Sequence, residues 1–244
     1  MNSSIFCLHS SGLSGSQWHR LTQALPNREI VAPDLLGYGE NPAEFATPFE
    51  CEQDVERLES LLARPSVLVG HSYGGFLALQ LALKKPHLVR GLLLFDPIVW
   101  GVLASKEGLA GELVITDPGF LDPESTADDW LECFVDFWGE PGSWANIGER
   151  ARKSMLDSYP KLRAEVGSLV YDRTPHTAYQ RIQCPTTLLY GKRSPEPEQK
   201  AVRVLHEAIP GSELIALEGG HMAPITHFQP FLSQLETFLS SNSL

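Results

Sequence analysis

The pentapeptide Gly70-His71-Ser72-Tyr73-Gly74 stands between an apolar run, 67–69, and a nearly all-apolar segment of helical period, 74–84. Gly-x-Ser-x-Gly at a strand-to-helix junction is the pattern of a serine nucleophile on a sharp turn. The turn crowds its neighbours, and glycines at 70 and 74 leave room for it. The helix that follows aims backbone N–H groups at the place where negative charge develops. A hydroxyl is a poor nucleophile at neutral pH, so the site needs a base. His221 follows Gly219 and Gly220, whose slender loop can bring an imidazole to the turn. A ring with pKa near ~6.5 can take the proton. His71 lies inside the turn and is expected to point away from the attack site. His9 is expected to brace a loop, and His19, His87, His176, His206 and His227 read as surface or packing residues. No His-Glu-x-x-His or other ligand spacing occurs, so no metal and no other cofactor is expected.

Elements must carry these residues to one place. Short apolar runs recur at 5–8, 67–69, 92–95, 186–190 and 214–217. None alternates with polar residues, as expected of strands buried on both faces of a parallel sheet. Segments of helical period lie between them, at 48–64, 74–84, 198–208 and 230–239. Strands alternating with helices imply right-handed βαβ units and a doubly wound α/β sheet. From 96 to 185 no run reads as a strand. That interval holds Trp100, Trp130, Trp138 and Trp144 with Phe120, Phe134 and Phe137, and helical period at 128–138 and 149–159. It reads as a helical insertion, residues 100–180, set into a core of 1–99 and 181–244. Insertions of this size commonly cover a functional site.

The chain has 244 residues, 43% hydrophobic and 20% charged, an ordinary globular composition. Its formal net charge of −11 disfavours nucleic acid and anionic membrane surfaces as partners. Cys7, Cys51, Cys133 and Cys184 are scattered without metal-type spacing and read as reduced thiols. No run approaches the ~20 apolar residues of a membrane span, and the N-terminus lacks the features of a signal peptide. A soluble, cytoplasmic protein is expected.

With its motifs in order, the chain resembles the α/β-hydrolase family over nearly its whole length. Leu8-His9-Ser10-Ser11-Gly12, with Gln17-Trp18 after it, looks like the family's His-Gly-x-x-Gly oxyanion segment, Ser10 standing where the first glycine would be. Pro33-Asp34-Leu35-Leu36-Gly37-Tyr38-Gly39 resembles its Pro-Asp-x-x-Gly-x-Gly loop, and Gly219-Gly220-His221 its catalytic histidine loop. The resemblance implies a helical cap after the sixth core strand, and an oxyanion hole of the Ser11 and Tyr73 backbone N–H groups. Asp34 is read as a loop-structuring residue. The family's acid slot after the seventh strand holds Ser194, in Gly191-Lys192-Arg193-Ser194-Pro195. Some branches place the acid after the sixth strand, which ends here in Phe95-Asp96-Pro97, so Asp96 is the first choice. Glu196, Glu198 and a dyad without an acid remain open.

The resemblance implies a serine hydrolase acting on a carboxylic ester or related acyl compound. A serine at 72 argues against the branches that use an aspartate nucleophile there. Hydrolysis of a C–C bond or thioester, or a lyase reaction on the same triad, is the alternative chemistry. A ligand-binding protein without turnover is the alternative class. The expected partner is a small apolar acyl substrate, with Trp130 and Trp138 as pocket residues, in a monomer or homodimer.

Overall fold

The computed structural model describes residues 3–41, 45–107 and 122–244; Phe120 lies outside them. In chain order come β1 (Ser4–Leu8), α1 (His19–Ala24), β2 (Ile30–Val31), α2 (Glu52–Leu61), β3 (Ser66–His71), α3 (Tyr73–Lys84) and β4 (Val89–Phe95). Four helices follow: α4 (Gly101–Glu107), α5 (Ala127–Trp138), α6 (Ser143–Asn146) and α7 (Glu149–Val170). The chain then forms β5 (Thr186–Gly191), α8 (Glu196–Ala208), β6 (Glu213–Leu217), α9 (Ala223–Thr226) and α10 (Phe228–Ser241). The strand that the resemblance counts sixth is thus the fourth of six described.

The strands form one sheet in the order β2-β1-β3-β4-β5-β6, and every pair is parallel. Successive side chains of a strand point to opposite faces. Ile5, Cys7, Val67, Val69, Leu93 and Phe95 pack with Leu21 of α1 and Phe231, Leu235 and Phe238 of α10. Phe6, Leu8, Leu68, Leu92 and Leu94 face the other way, against residues of α2, α3 and α8. Both faces are covered, which explains the uninterrupted apolar runs. Strand order reverses between β1 and β3, and such a switch point opens a crevice at the strands' C-terminal ends.

Among the described residues the interval between β4 and β5 holds helices and no strand. Helical period at 149–159 breaks at Pro160, yet α7 runs on for eleven residues past Tyr159. Proline lacks the N–H of the helix ladder and crowds the preceding turn. The helix continues because Leu162, Val166, Leu169 and Val170 are buried in the main core.

Two further residues of α7 are buried for another reason. Lys161 and Glu165 have side chains 1% and 0% exposed. Lys161 Nζ donates to Asp54 Oδ2 on α2 (2.9 Å) and to Glu165 Oε2 (2.7 Å). Tyr73 donates to Asp54 (2.7 Å), Tyr38 to Glu165 (2.8 Å) and the Leu36 N–H to Asp54 (3.0 Å). Burial works to lower the Lys161 pKa, but the two carboxylates outweigh it and the ammonium stands above its usual value. Removing the shared cation leaves two carboxylates uncompensated in the interior, an effect of about 3–5 kcal/mol. Lys161→Met should therefore lower the melting midpoint by on the order of 10 °C in a chain of this size. Thermal and urea unfolding check this; a fall of under ~2 °C would mean the cluster contributes little net stability.

Candidate active site

Ser72 sits between β3 and α3 with φ +57° and ψ −122°, a conformation that a residue with a side chain adopts only under strain. Its N–H bonds the Phe95 carbonyl (2.9 Å), and its own carbonyl accepts from Gly75 (2.9 Å) and Phe76 (3.1 Å). These bonds hold the turn. A Cβ on Gly74 would lie 2.3 Å from the Leu8 carbonyl oxygen. Only glycine lets α3 start that close to the end of β1. The oxyanion segment leaves β1 at this point. Among the described residues nothing accepts from the backbone N–H of Ser11 or Tyr73, so both donors are available to an anion.

His221 stands just before α9, in the loop after β6. Its Nδ1 lies 3.0 Å from Asp96 Oδ2. Asp96 follows β4 directly, with φ +41°. It also accepts from the Ser194 hydroxyl (2.6 Å) and from the Gly191 N–H (3.3 Å). Burial pushes the Asp96 pKa up to about 7, against the pull of the Ser194 and Gly191 bonds. Burial pushes the His221 pKa down to about 3. At neutral pH its ring is therefore uncharged, and with Nδ1–H directed at Asp96 its Nε2 is free to take a proton. Ser72 Oγ makes no hydrogen bond to the ring here, and such bonds are often long before substrate binds.

His71 links two loops. Its Nε2 donates to the His221 carbonyl (2.8 Å), and its Nδ1 accepts from Gln17 Nε2 (3.0 Å). Gln17 Oε1 in turn accepts from the Ser10 N–H (2.9 Å). His9 accepts from the Leu35 N–H (3.0 Å) and donates to the Ser10 carbonyl (2.8 Å), which braces the loop after β2. Asp34 takes the N–H groups of Gly15 (2.7 Å) and Glu40 (2.8 Å), also a loop role. Glu196 is exposed on α8. Glu198 is buried and accepts from the Trp100 indole N–H (3.1 Å). Neither glutamate bonds His221. Burial and the charge of Asp96 raise the Glu198 pKa well above its usual value.

A cavity of about 480 Å³ opens beside His221, lined by the oxyanion segment and by residues of α5, α6 and α7. A second, small cavity of about 10 Å³ adjoins Ser72. Trp138 lines both and stacks on the His221 ring, centroids 4.0 Å apart. Trp130 lines neither. It is fully buried, stacked on Phe134 and edge-on to Tyr159, so its apolar bulk serves packing. A cavity of about 630 Å³ between α2 and α7 touches none of these groups.

Sequence reasoning placed Gln17 only as a neighbour of the oxyanion segment, weighed Glu198 only as the acid, passed over Lys161, and treated Ser194 only as a missing acid. Ser194 had a signal, since a hydroxyl in a vacant acid slot can still donate to an acid arriving from next door. Gln17 and Lys161 had none, because their partners are remote in sequence.

The pH dependence follows from the sign of the Asp96 shift. Its carboxylate form should stabilise a charged His221, so kcat/KM should rise with pH through about 7. Ser194→Ala removes a donor that holds this pKa down, so the acidic limb should move to higher pH. The pH–rate profiles of both proteins measure it, with a several-fold loss expected at pH 6 and little at pH 9. An unmoved limb would separate Ser194 from the titration.

Comparison with known proteins places this geometry. Residues 5–232 match the model of a family described as the alpha/beta hydrolase family. Lipase LipV of Mycobacterium tuberculosis is 33% identical over 160 residues, 64% of this chain and 56% of that protein, so the match spans little more than half of the lipase. A 2-hydroxymuconate semialdehyde hydrolase of Pseudomonas sp. (strain CF600) is 34% identical over 260 positions, covering 97% of this chain and 86% of that one. A pimeloyl-[acyl-carrier protein] methyl ester esterase of Aeromonas hydrophila is 26% identical over 247 positions, 95% and 93% of the two chains. Matched by that model along nearly its full length, this chain belongs to the alpha/beta hydrolase family.

Proposed function

We propose that the protein is a serine hydrolase that cleaves carboxylic esters through an acyl-enzyme on Ser72. One observation carries the reading: a buried, uncharged His221 has Nδ1 held by Asp96 in the same site as a serine on a strained turn. Ser72 Oγ attacks the ester carbonyl as His221 Nε2 takes its proton. The oxyanion is held by the Ser11 and Tyr73 N–H groups. Asp96 keeps the ring in one tautomer and stabilises its positive charge. The C–O bond to the alcohol breaks, and His221 returns the proton to the leaving oxygen. Water, deprotonated by the same ring, then releases the acid and restores Ser72. Residues 100–180 act as the cap of this site, on a core of 1–99 and 181–244.

The 34%-identical semialdehyde hydrolase suggests a second substrate class, an anionic one by its name. The larger cavity counts against that class. No lysine or arginine is among its described lining residues, and Glu140 is its one acidic group. An apolar, uncharged ester fits it better.

Ser72→Ala should abolish labelling by a fluorophosphonate probe and lower turnover of 1-naphthyl acetate by at least ~10³-fold, with an unchanged melting midpoint. Retained ester hydrolysis in this variant would overturn the assignment of Ser72. Wild-type protein that neither labels nor turns over any ester would instead support a binding protein.

A further inference from the structure

The tetrahedral carbon on Ser72 has three other substituents, and each must go somewhere. One is the oxyanion, directed at the Ser11 and Tyr73 N–H groups. One is the leaving oxygen, which has to come within reach of His221 to receive its proton. The third is the acyl chain. The two cavities divide between the last two. The 480 Å³ cavity is lined by His221 and Met222 and by Leu13, Phe134, Ile147 and Met155, but not by Ser72. The 10 Å³ cavity is lined by Ser72, Trp100, Val166 and Leu169, but not by His221, and Ser11, Phe134 and Trp138 stand between the two and line both. The leaving group therefore belongs in the large cavity and the acyl chain in the small one.

Ten cubic ångströms is room for about one water-sized sphere, which is also the size of one methyl group. The walls are stiff. Trp138 is stacked on His221 on one side and lies parallel to Trp100 on the other, centroids 6.1 Å apart and planes within 4°. Trp100 is fixed in turn by its indole N–H bond to buried Glu198. Val166 and Leu169 are on α7, which Lys161 ties to α2. We propose that the enzyme selects esters of a two-carbon acid with a bulky apolar alcohol, and that Trp138, Val166 and Leu169 set the acyl limit. This rests on the serine-hydrolase reading above.

The test is kcat/KM for 1-naphthyl acetate, 1-naphthyl butyrate, 1-naphthyl octanoate and methyl octanoate, with fluorophosphonate labelling of Ser72 run alongside. Forcing extra methylenes into a packed site is costly. Acetate should exceed butyrate by about 10-fold and octanoate by at least ~100-fold. Methyl octanoate, with the bulk on the wrong side, should be as poor as the naphthyl octanoate. Val166→Ala and Leu169→Ala should each raise the butyrate-to-acetate ratio by about 10-fold. Met155→Ala, in the large cavity, should leave that ratio unchanged and weaken the preference for naphthyl over ethyl acetate. Val166→Ala is the smaller deletion and reads out the same ratio if Leu169→Ala fails to fold. Equal rates on acetate and octanoate, with Ser72 labelled, would overturn the acyl limit and leave the hydrolase reading intact. Preference for methyl octanoate would overturn the division of the two cavities. Absence of both labelling and turnover in the wild type would take down the hydrolase reading, and this inference with it.

Discussion

A carboxylate in the interior has to be satisfied by donors, and Asp96 is satisfied almost wholly by neutral ones. A hydroxyl from Ser194, a backbone N–H from Gly191 and a ring N–H from His221 converge on it. Two come from the turn that ends β5 and one from the loop after β6, while Asp96 itself stands at the end of β4. The acid therefore pins together the three strand ends that form half of the site. The approach is so close that Gly191 can carry no side chain; a Cβ there would lie 2.5 Å from Ser194 Oγ and 2.7 Å from the Gly220 carbonyl oxygen. Since none of the donors carries a full charge while His221 is neutral, desolvation wins and the Asp96 pKa rises. Such an acid is poised to respond when the ring beside it gains a proton.

The other half of the site depends on backbone, not charge. Strain at Ser72 costs on the order of 1–3 kcal/mol and persists because its N–H and carbonyl are both engaged. The two loops that meet there are also tied to each other. Ser10 reaches His221 through Gln17 and His71, three bonds in series among partly or fully buried groups. A proton on His71 would break this chain, since its Nδ1 accepts from Gln17. Burial prevents that by holding the His71 pKa down to about 3. A histidine inside the serine turn is thus kept neutral for a structural purpose, beside a second histidine kept neutral for a chemical one.

The positions of five of the six described strands and the serine turn were legible because they are local, while the two-residue β2 leaves no apolar run to read. Parallel strands covered on both faces leave uninterrupted apolar runs, and a strained turn leaves glycines. His221 was legible for the same reason, as a histidine behind two glycines at a strand end. Asp96 was legible only through the family resemblance, which offers that strand end as a second place for the acid, since an Asp-Pro at a strand end looks the same whether or not a histidine loop covers it. Lys161 looked like any lysine on an exposed helical face, next to a proline that suggested the helix was ending. What buries it is Asp54, 107 residues away, and no local pattern encodes that distance. The tryptophans divide on similar grounds. Trp130 and Trp138 are eight residues apart on α5 and have equal apolar appeal. Only the position of His221 makes Trp138 a wall of the site while Trp130 stays in the core.

The helix α7 brings these strands of argument together. Its Glu165 accepts from Tyr38, and its Lys161 shares Asp54 with the Tyr73 hydroxyl. Ser11 and Tyr73 are the two residues whose backbone N–H groups hold the oxyanion in the proposed mechanism. One turn further along, Val166 and Leu169 close the small cavity beside Ser72. The same rigid element therefore braces one of the residues that stabilise the developing charge and limits the group attached to the carbon that bears it. A shift of α7 large enough to admit a longer acyl chain would pull on Glu165 and Lys161, and through Asp54 on Tyr73. In this fold a tight acyl site and a well-placed oxyanion hole are one packing solution. Relaxing the first by moving the helix weakens the second, whereas trimming a side chain on its inner face changes the cavity alone.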